Sequence, residues 1–371
     1  MKILFVLENY HPFVGGAEVV FKNLAEGFVK EGHEVNIINN QIKKTNKFEI
    51  INGVKVHRVN SFGSRYLFTF LAIPKVLKLA KNSDVIQTTT FTGAPPAWFG
   101  GKIRKKPVLL TVHEVWVDKW KKVTDFNFLK SFVHNILEKM IYTLKFDRYI
   151  CVSNSTRKDL ANINITNAVT IHNGLDYGLW NPKNFDDSKI KTNPELKEKF
   201  LCFSWGRPGV SKGFEYLIRS IPLILKKIPN AFFLLMTNKD YNKKKFKQLT
   251  DLVKKLGIGK HISIIKPVPY KELGNFIKAA ACVVIPSIAE GFGYTTVETC
   301  AIGTPVVATN AGSIPEVISN KYVLVEARSP NGIASGVITV KNKDYKTSAL
   351  KKFYWKTAID KYLDEYKKLV R

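Results

Sequence analysis

The sequence predicts an α/β protein made of two Rossmann-like domains that face a central cleft. Strand-like apolar runs alternate with helix-like segments, a pattern typical of parallel sheets covered by helices. The alternation restarts after an aperiodic segment, Asp176 to Pro194, which is rich in Asn, Asp, Lys and Pro and is predicted to be a linker. The length of 371 residues accommodates two domains with ample cores.

We expect an N-terminal domain over residues 1–180 and a second domain over 195–350. The predicted strands of the first are Ile3–Leu7, Glu34–Ile38, Val85–Gln87, Pro107–Val112, Arg148–Val152 and Val169–Ile171. Its main predicted helices are Gly16–Glu31, Tyr66–Lys81 and Phe128–Phe146. The predicted strands of the second are Leu201–Trp205, Ala231–Met236, His261–Ile265 and Cys282–Ile285.

The composition is that of an ordinary globular chain, with 45% hydrophobic and 24% charged residues. No signal peptide is predicted, because the first residues already follow a strand pattern. No apolar run approaches the roughly 18 residues that a membrane span needs. We therefore expect a cytoplasmic protein that is soluble or peripheral on the inner face of the membrane. The cysteines lack a C-x-x-C pair and are predicted to be buried free thiols; they are Cys151, Cys202, Cys282 and Cys300.

The net charge of +28 has two interpretations. It can attract an anionic membrane surface or an acidic ligand. It can also be compositional, since 49 of the 58 basic residues are lysines scattered over predicted helix surfaces. Nucleic-acid readers usually rely on arginine, stacked aromatic residues or a recognisable module. The sequence shows no arginine-rich segment and no such module, so nucleic acid is not predicted as a partner.

A strand, a glycine turn and a helix start follow each other closely in the second half. Val283 to Ile285 predicts a short buried strand, Gly291 and Gly293 predict a turn, and Tyr294 to Ala301 predicts a helix. Such a junction directs free backbone N–H groups at one point, which favours an anion such as phosphate. The segment therefore predicts a phosphate site.

Two carboxylates flank this turn, Glu290 before the glycines and Glu298 in the predicted helix. Beside a phosphate site, carboxylates are better suited to accept hydrogen bonds from sugar hydroxyls. Their spacing around Gly291-Phe292-Gly293 resembles the E-x7-E motif of retaining nucleotide-sugar glycosyltransferases of family 4. The run from Gly303 to Glu316 continues the resemblance, which implies the GT-B fold.

The resemblance also implies roles for these residues. Glu290 would position the donor sugar, Glu298 would hold the ribose hydroxyls, and Gly291, Phe292 and Gly293 would contact the donor. The last helix, predicted over residues 352–371 from aromatic residues at helical spacing, would cross back and complete the N-terminal domain.

Arg207 and Lys212 lie in the loop after the first predicted strand of the second domain. Ligands of α/β sheets bind at the carboxyl ends of the strands. Two cations there can neutralise the charge that grows on a leaving diphosphate. The loop matches the G-R-x-x-x-x-K-G pattern of the family, which implies a catalytic and donor-binding role for both residues. Thr237 to Asp240 replaces a glycine-rich turn that the family carries near the nucleobase, which leaves the base undetermined.

Gly15 and Gly16 join the first strand and helix of the N-terminal domain. They either let the backbone approach a ligand at a helix N-terminus or serve a tight turn with positive φ. The resemblance implies that this loop contacts the donor phosphates and the acceptor. His113 ends a predicted buried strand and matches the strand-end histidine of the family, which contacts the transferred sugar.

The acceptor side is predicted less specifically. Ser153 resembles a family position, although a strand-end hydroxyl also commonly caps a helix. Trp116 and Trp120 lie among basic residues, and Arg65 to Lys81 mixes basic and apolar residues. These segments either bind a lipid-linked acceptor at a membrane surface or form a core helix and an acceptor loop.

No D-x-D triplet occurs and no histidine–carboxylate cluster has metal-ligand spacing, so no metal or other cofactor is expected. The sequence thus predicts a retaining, metal-independent hexosyltransferase. Its donor would be GDP-mannose, as for a mannosyltransferase-like enzyme, or a UDP-sugar, and its acceptor a hydroxyl on a lipid-linked or soluble glycan. A sugar-nucleotide epimerase, a glycan phosphorylase and a non-catalytic sugar-nucleotide binder remain as alternatives.

Overall fold

The computed structural model describes residues 1–13, 15–42 and 44–370. Val14 of the predicted glycine turn and Arg371 of the last predicted helix lie outside the described residues. The strands are β1 (Lys2–Val6), β2 (Glu34–Asn40), β3 (Phe48–Ile51), β4 (Val54–Val59), β5 (Val85–Thr89), β6 (Val108–Val112), β7 (Arg148–Cys151), β8 (Ala168–Thr170), β9 (Phe200–Trp205), β10 (Ala231–Met236), β11 (Ile262–Ile265), β12 (Cys282–Ile285), β13 (Val306–Thr309), β14 (Asn320–Val325) and β15 (Lys346–Ser348).

The helices alternate with these strands along most of the chain. They are α1 (Gly16–Lys30), α2 (Arg65–Leu71), α3 (Ile73–Ala80), α4 (Ala94–Arg104), α5 (Trp120–Val123), α6 (Phe128–Thr143), α7 (Asn154–Ala161), α8 (Ser188–Lys191), α9 (Phe214–Leu225), α10 (Lys243–Lys255), α11 (Leu273–Ala279), α12 (Tyr294–Ile302), α13 (Ile314–Val317), α14 (Pro330–Lys341) and α15 (Trp355–Leu369). Short 3₁₀ turns cover Val210–Lys212 and Tyr270–Glu272, among others.

The chain divides into two compact units. The first comprises Met1–Asp118, Leu129–Gly174 and Phe353–Arg371. Its sheet has the strand order β3-β4-β2-β1-β5-β6-β7-β8, and every pair is parallel except the β3–β4 hairpin. The last helix of the chain, α15, belongs to this unit, where Tyr366 is buried against Phe28 and its hydroxyl donates a hydrogen bond to Gln87 on β5.

The second unit comprises Lys119–Phe128 and Leu175–Lys352. Its strand order is β11-β10-β9-β12-β13-β14-β15, and only the terminal pair β14–β15 is antiparallel. The central strands β10 and β12 are apolar throughout, and β9 is apolar except for Ser204, as expected for strands covered by helices on both faces. The prediction of an α/β chain with two mainly parallel sheets is confirmed.

Two local predictions differ from the structure, and several strands were not predicted. The helix predicted over Tyr66–Lys81 is two helices, α2 and α3, because Pro74 in the first turn of α3 lacks the N–H that a continuous helix needs. The segment Asp176–Pro194, predicted to be a linker, packs into the second unit, where Trp180 and Phe185 are buried. The β3–β4 hairpin was not predicted. The four cysteines are buried free thiols, as predicted.

Candidate active site

The loop that carries Glu290 joins β12 to α12. Residues of the turn between β13 and α13 contact the backbone of this loop. The backbone N–H and the hydroxyl of Ser313 donate to the carbonyl oxygen of Glu290 at 3.0 and 3.2 Å. Gly312 has φ +53, and a Cβ there would collide with the backbone of Glu290. The run Gly303–Glu316, which the sequence connected with the Glu290 motif, thus holds the Glu290 backbone in place.

Lys212 and Glu290 form an ion pair at the carboxyl edge of the second sheet. Lys212 Nζ lies 2.8 Å from Glu290 Oε2, and the Ser287 hydroxyl donates to the same oxygen at 3.3 Å. The two loops are also joined through the backbone, because Ile288 N–H donates to the Ser211 carbonyl at 2.7 Å. Two residues predicted separately for the donor site are therefore in direct contact.

The two loops that carry this ion pair, and the helix start that follows Glu290, also contain hydrogen-bond donors without partners. Arg207 is exposed, and in the described part of the chain its guanidinium makes no hydrogen bond or ion pair. Within the same residues, the backbone N–H groups of Gly291, Gly293 and Thr295 also have no acceptor. The hydroxyls of Thr295 and Thr296 are buried without a partner. The start of α12 therefore offers free donors to an anion.

Phe292 lies between the two glycines of this loop. Its ring is buried and packs edge-on against the ring of Tyr294, with the ring centroids 5.1 Å apart. The side chain stabilises the loop, and only the Phe292 backbone can take part in donor binding.

Glu298 is buried in α12 and accepts a 2.5 Å hydrogen bond on Oε1 from the hydroxyl of Tyr270. That hydroxyl in turn accepts a 3.1 Å hydrogen bond from Trp180 Nε1. Burial raises the pKa of Glu298 to about 8, and the negative charge of Glu290 adds to the rise. The Tyr270 hydrogen bond and the positive charge of Lys212 act in the opposite direction.

Sequence reasoning missed Tyr270 and Trp180. Tyr270 begins the 3₁₀ turn that follows β11, at the same carboxyl edge as the other site residues. A polar aromatic residue shortly after a predicted strand was the available signal. Trp180 carried no such signal, because it lies in the segment predicted to be a linker.

In the first unit, His113 follows β6. Its ring packs edge-on against Phe21 of α1, with the ring centroids 6.2 Å apart. Its Nε2 atom is buried and has no hydrogen-bond partner among the described residues. Burial lowers the pKa of His113 to about 4, so the imidazole is neutral at neutral pH. A neutral ring with a free nitrogen can exchange a hydrogen bond with a hydroxyl.

Gly15 and Gly16 lie at the start of α1. Neither has positive φ, and Gly15 has φ −154, an extended conformation open to any residue. The alternative of a tight turn with positive φ is therefore wrong. A Cβ added to Gly16 would meet no atom within 4 Å, so the space beside its backbone is open.

The residues predicted for the acceptor side are mostly used in packing. Ser153 is completely buried and caps α7, accepting a hydrogen bond from Thr156 N–H at 3.1 Å. Trp120 belongs to the second unit, where it is buried and stacks on Phe126. Trp116 is half-buried in the first unit. The positions of Ser153 and Trp120 favour the structural alternative for both residues.

Across residues 1–13, 15–42 and 44–370, no group of three or more His, Cys, Asp or Glu side chains is placed to hold a metal ion. No helix in this part of the chain is long and apolar enough to cross a membrane.

Comparisons with known proteins identify the family of this chain. The family "Glycosyltransferase Family 4" matches residues 14–178, and the family "Glycosyl transferases group 1" matches residues 185–354. An uncharacterized glycosyltransferase of Methanocaldococcus jannaschii, MJ1607, is 31% identical over 365 residues, covering 91% of this chain and 88% of that protein. The GPI3 subunit of phosphatidylinositol N-acetylglucosaminyltransferase from Saccharomyces cerevisiae is 23% identical over 330 residues, covering 87% of this chain and 71% of the subunit.

Solved structures share the fold. Sucrose-phosphate synthase from Thermosynechococcus elongatus has a TM-score of 0.79 at 19% identity, covering 99% of this chain and 98% of that one. HepE of Anabaena, solved in complex with UDP, has a TM-score of 0.75 at 18% identity and covers both chains completely. Two mainly parallel α/β units with these neighbours define the GT-B fold. The chain belongs to the family-4 glycosyltransferases.

Proposed function

We propose that this protein is a retaining hexosyltransferase that moves a hexose from a nucleoside-diphosphate sugar to an acceptor hydroxyl. The observation that carries the proposal is the Lys212–Glu290 ion pair beside the unpartnered donors at the start of α12. This arrangement combines a cation, free N–H groups and a carboxylate within one sheet edge. The cation and the N–H groups can bind a diphosphate, and the carboxylate can accept a hydrogen bond from a sugar hydroxyl.

The leaving diphosphate is held by Arg207, Lys212 and the N–H groups of the Gly291–Gly293 turn. Negative charge grows on this group as the bond to the anomeric carbon breaks, and fixed donors stabilise it. Two side-chain cations and a helix N-terminus allow the protein to meet this charge itself, which supports a metal-independent reaction.

The two glutamates bind the donor at different points. Glu290 orients the hydroxyls of the transferred hexose, while Glu298 accepts hydrogen bonds from the ribose. The Tyr270 hydrogen bond favours the ionised form of Glu298, which is the better acceptor. The ring nitrogen of His113 that has no partner among the described residues contacts the transferred hexose. The open space beside the backbone of the Gly15–Gly16 turn lets a phosphate or the acceptor approach.

The acceptor oxygen attacks the anomeric carbon from the face that the diphosphate leaves. The carbon–phosphate oxygen bond breaks, the new glycosidic bond forms, and the acceptor proton moves to the leaving phosphate. The anomeric configuration is then retained. Glu290 as a transient nucleophile is the second route, and trapping of a glycosyl-enzyme would favour it.

Both GDP-mannose and UDP-sugars remain candidate donors. The likeness to HepE, which was solved with UDP, supports a UDP-sugar. The acceptor is a lipid-linked or soluble glycan, and the relative that acts in phosphatidylinositol N-acetylglucosaminyl transfer supports a lipid. The net charge of +28 supports attraction to an anionic membrane, with the protein peripheral on its cytoplasmic face.

A donor panel tests the proposal. GDP- and UDP-sugars are scored by thermal shift and by slow hydrolysis, with wild type, Glu290→Ala and the surface control Glu195→Ala. One donor should raise the Tm of all three proteins, and only Glu290→Ala should lose hydrolysis. Product analysis with donor alone separates hydrolysis from epimerisation. No response to any donor, or equal hydrolysis by Glu290→Ala, would refute the assignment.

A further inference from the structure

Helix α6 of the first unit exposes an apolar stripe to solvent. Leu129, Phe132, Ile136 and Met140 follow one face of the helix and are 68, 52, 42 and 58% exposed. Soluble proteins normally bury such a face, and a contiguous exposed apolar surface marks an interaction site. The stripe therefore needs an apolar partner.

Helix α2 extends this surface. Tyr66, Leu67, Phe70 and Leu71 are all exposed, and Phe70 is 68% exposed. The two helices are linked, because the Tyr66 hydroxyl lies 3.3 Å from Nε2 of His134 on α6.

A groove of about 310 Å³ lies between α2, α6 and the loop that follows β5. Its walls are almost entirely apolar and include Tyr66, Phe70, Phe91, Met140, Ile141 and Leu144. Phe91 and Ile141 also pack against the hydrophobic core of the unit, so the groove has a fixed inner wall. An apolar groove of this volume can hold a single hydrocarbon chain.

One end of the groove reaches the carboxyl edge of the first sheet. Thr92, which lines it, follows β5, and its hydroxyl donates to Glu8 Oε2 at 2.9 Å, just after β1. Arg65 of α2 binds the same carboxylate at 2.7 Å. Ligands of α/β sheets bind at this edge. A chain in the groove would thus place its head group beside the position of a bound substrate.

Basic side chains outnumber acidic ones around this surface, although Arg65 pairs with Glu8 and Lys102 lies 3.7 Å from Asp147. Helices α2, α3 and α4 contain no acidic residue but carry Arg65, Lys75, Lys78, Lys102 and Arg104. The one acidic residue of α6, Glu138, is buried. A second copy of this face would bring like charges together, which disfavours a symmetric dimer. An anionic lipid surface would complement both the charge and the apolar stripe.

We propose that the groove binds one hydrocarbon chain of a lipid acceptor with an anionic head group, while the α2–α6 face rests in an anionic bilayer. This inference rests on the proposed function and names the acceptor class for it. The exposed stripe enters the acyl region, the basic helices lie at the head groups, and the groove leads the lipid towards the sheet edge.

The first test separates hydrocarbon from phosphate. Dodecyl phosphate, butyl phosphate and inorganic phosphate are titrated into wild type and into the double variant Phe70→Gln/Met140→Gln, which removes apolar surface without altering charge. Wild type should bind dodecyl phosphate at least tenfold more tightly than butyl phosphate, because each buried methylene adds affinity. The double variant should lose this chain-length preference. Equal binding of the two alkyl phosphates by wild type would overturn the proposal.

The second test uses flotation with vesicles of phosphatidylcholine and phosphatidylglycerol. Wild type should float and remain bound after a high-salt wash, whereas the double variant should be released by salt, since only charge attraction remains. The control Ile50→Gln removes an equally exposed side chain on β3 and should behave like wild type. Salt release of wild type, or a dimer by light scattering that the double variant dissociates, would contradict the proposal.

Donor thermal shift is measured on every variant. A normal shift in the double variant shows that the fold and donor site are intact. Wild type that shows a donor shift but no lipid binding disproves only this inference, while wild type that binds lipid without any donor response disproves only the proposed function.

Discussion

The hydroxyl of Tyr270 donates a 2.5 Å hydrogen bond to Oε1 of Glu298, and Trp180 holds that hydroxyl from the other side. Without Tyr270, the buried carboxyl of Glu298 would lose a group that lowers its pKa. Tyr270 is therefore a positioning residue that keeps Glu298 oriented and more easily ionised.

Tyr270→Phe should weaken donor binding about tenfold at neutral pH, because Glu298 loses a hydrogen bond and becomes harder to ionise for ribose binding. The pKa of Glu298 should rise above its value of about 8, so donor affinity should recover only at more alkaline pH than in wild type. Calorimetric titration of the donor over a pH series measures both effects. Tyr241→Phe removes an exposed hydroxyl and serves as the control. A uniform loss of affinity with no shift along the pH axis would contradict the positioning role.

Glu298→Gln should stabilise the protein without donor as pH rises. The carboxyl pKa is about 8 in the folded state against an ordinary value of 4.5. Between these pH values the unfolded state ionises while the folded state stays protonated, so wild type loses stability as pH increases. Because glutamine does not ionise, Glu298→Gln avoids this loss in the free energy of unfolding, which is on the order of a few kcal/mol. Urea unfolding at acidic and mildly alkaline pH measures the stability difference between wild type and Glu298→Gln, with Glu195→Gln as the surface control. A difference that does not depend on pH would show that Glu298 is ionised in the folded state.

Much of the Glu290 region could be predicted because its signals are local. The apolar run of β12, the glycines after it and the apolar start of α12 each follow from neighbouring residues. The β3–β4 hairpin also carried a local signal that was overlooked. Asn52 and Gly53 have φ values of +50 and +83, the conformation for which Asn-Gly is the strongest hairpin sequence.

Other parts of the site depend on tertiary contacts. The Trp180–Tyr270–Glu298 chain joins residues from a coil, a 3₁₀ turn and a helix that are far apart in sequence. The burial of Ser153 and Trp120 likewise depends on packing that no local pattern encodes. The spacing of the motif identified Glu290 and Glu298, but it could not identify the side chains that form hydrogen bonds with them.

The effects of substituting Lys212 and Glu290 should not be independent of each other. Lys212→Met or Glu290→Gln should each lower kcat for donor hydrolysis about a hundredfold or more, as for loss of one group that stabilises a transition state. The double variant should lose much less than the product of the two single effects, because the side chains are in contact. Lys247→Met breaks an exposed pair with Asp251 and should leave kcat unchanged. Multiplicative losses would show that the two residues act independently.

Gly312→Ala should damage the donor site through the backbone of Glu290. Alanine at φ +53 is strained, and its Cβ would also push against the Glu290 carbonyl and N–H. Gly257→Ala is the matched control, since Gly257 has φ +65 but no atom within 4 Å of an added Cβ. Gly257→Ala should lower the free energy of unfolding by about 1 kcal/mol and leave donor hydrolysis intact. Gly312→Ala should lower stability further and reduce hydrolysis at least tenfold at temperatures where it remains folded. Equal effects of the two variants would show that strain alone acts at Gly312 and that Glu290 is not held by this contact.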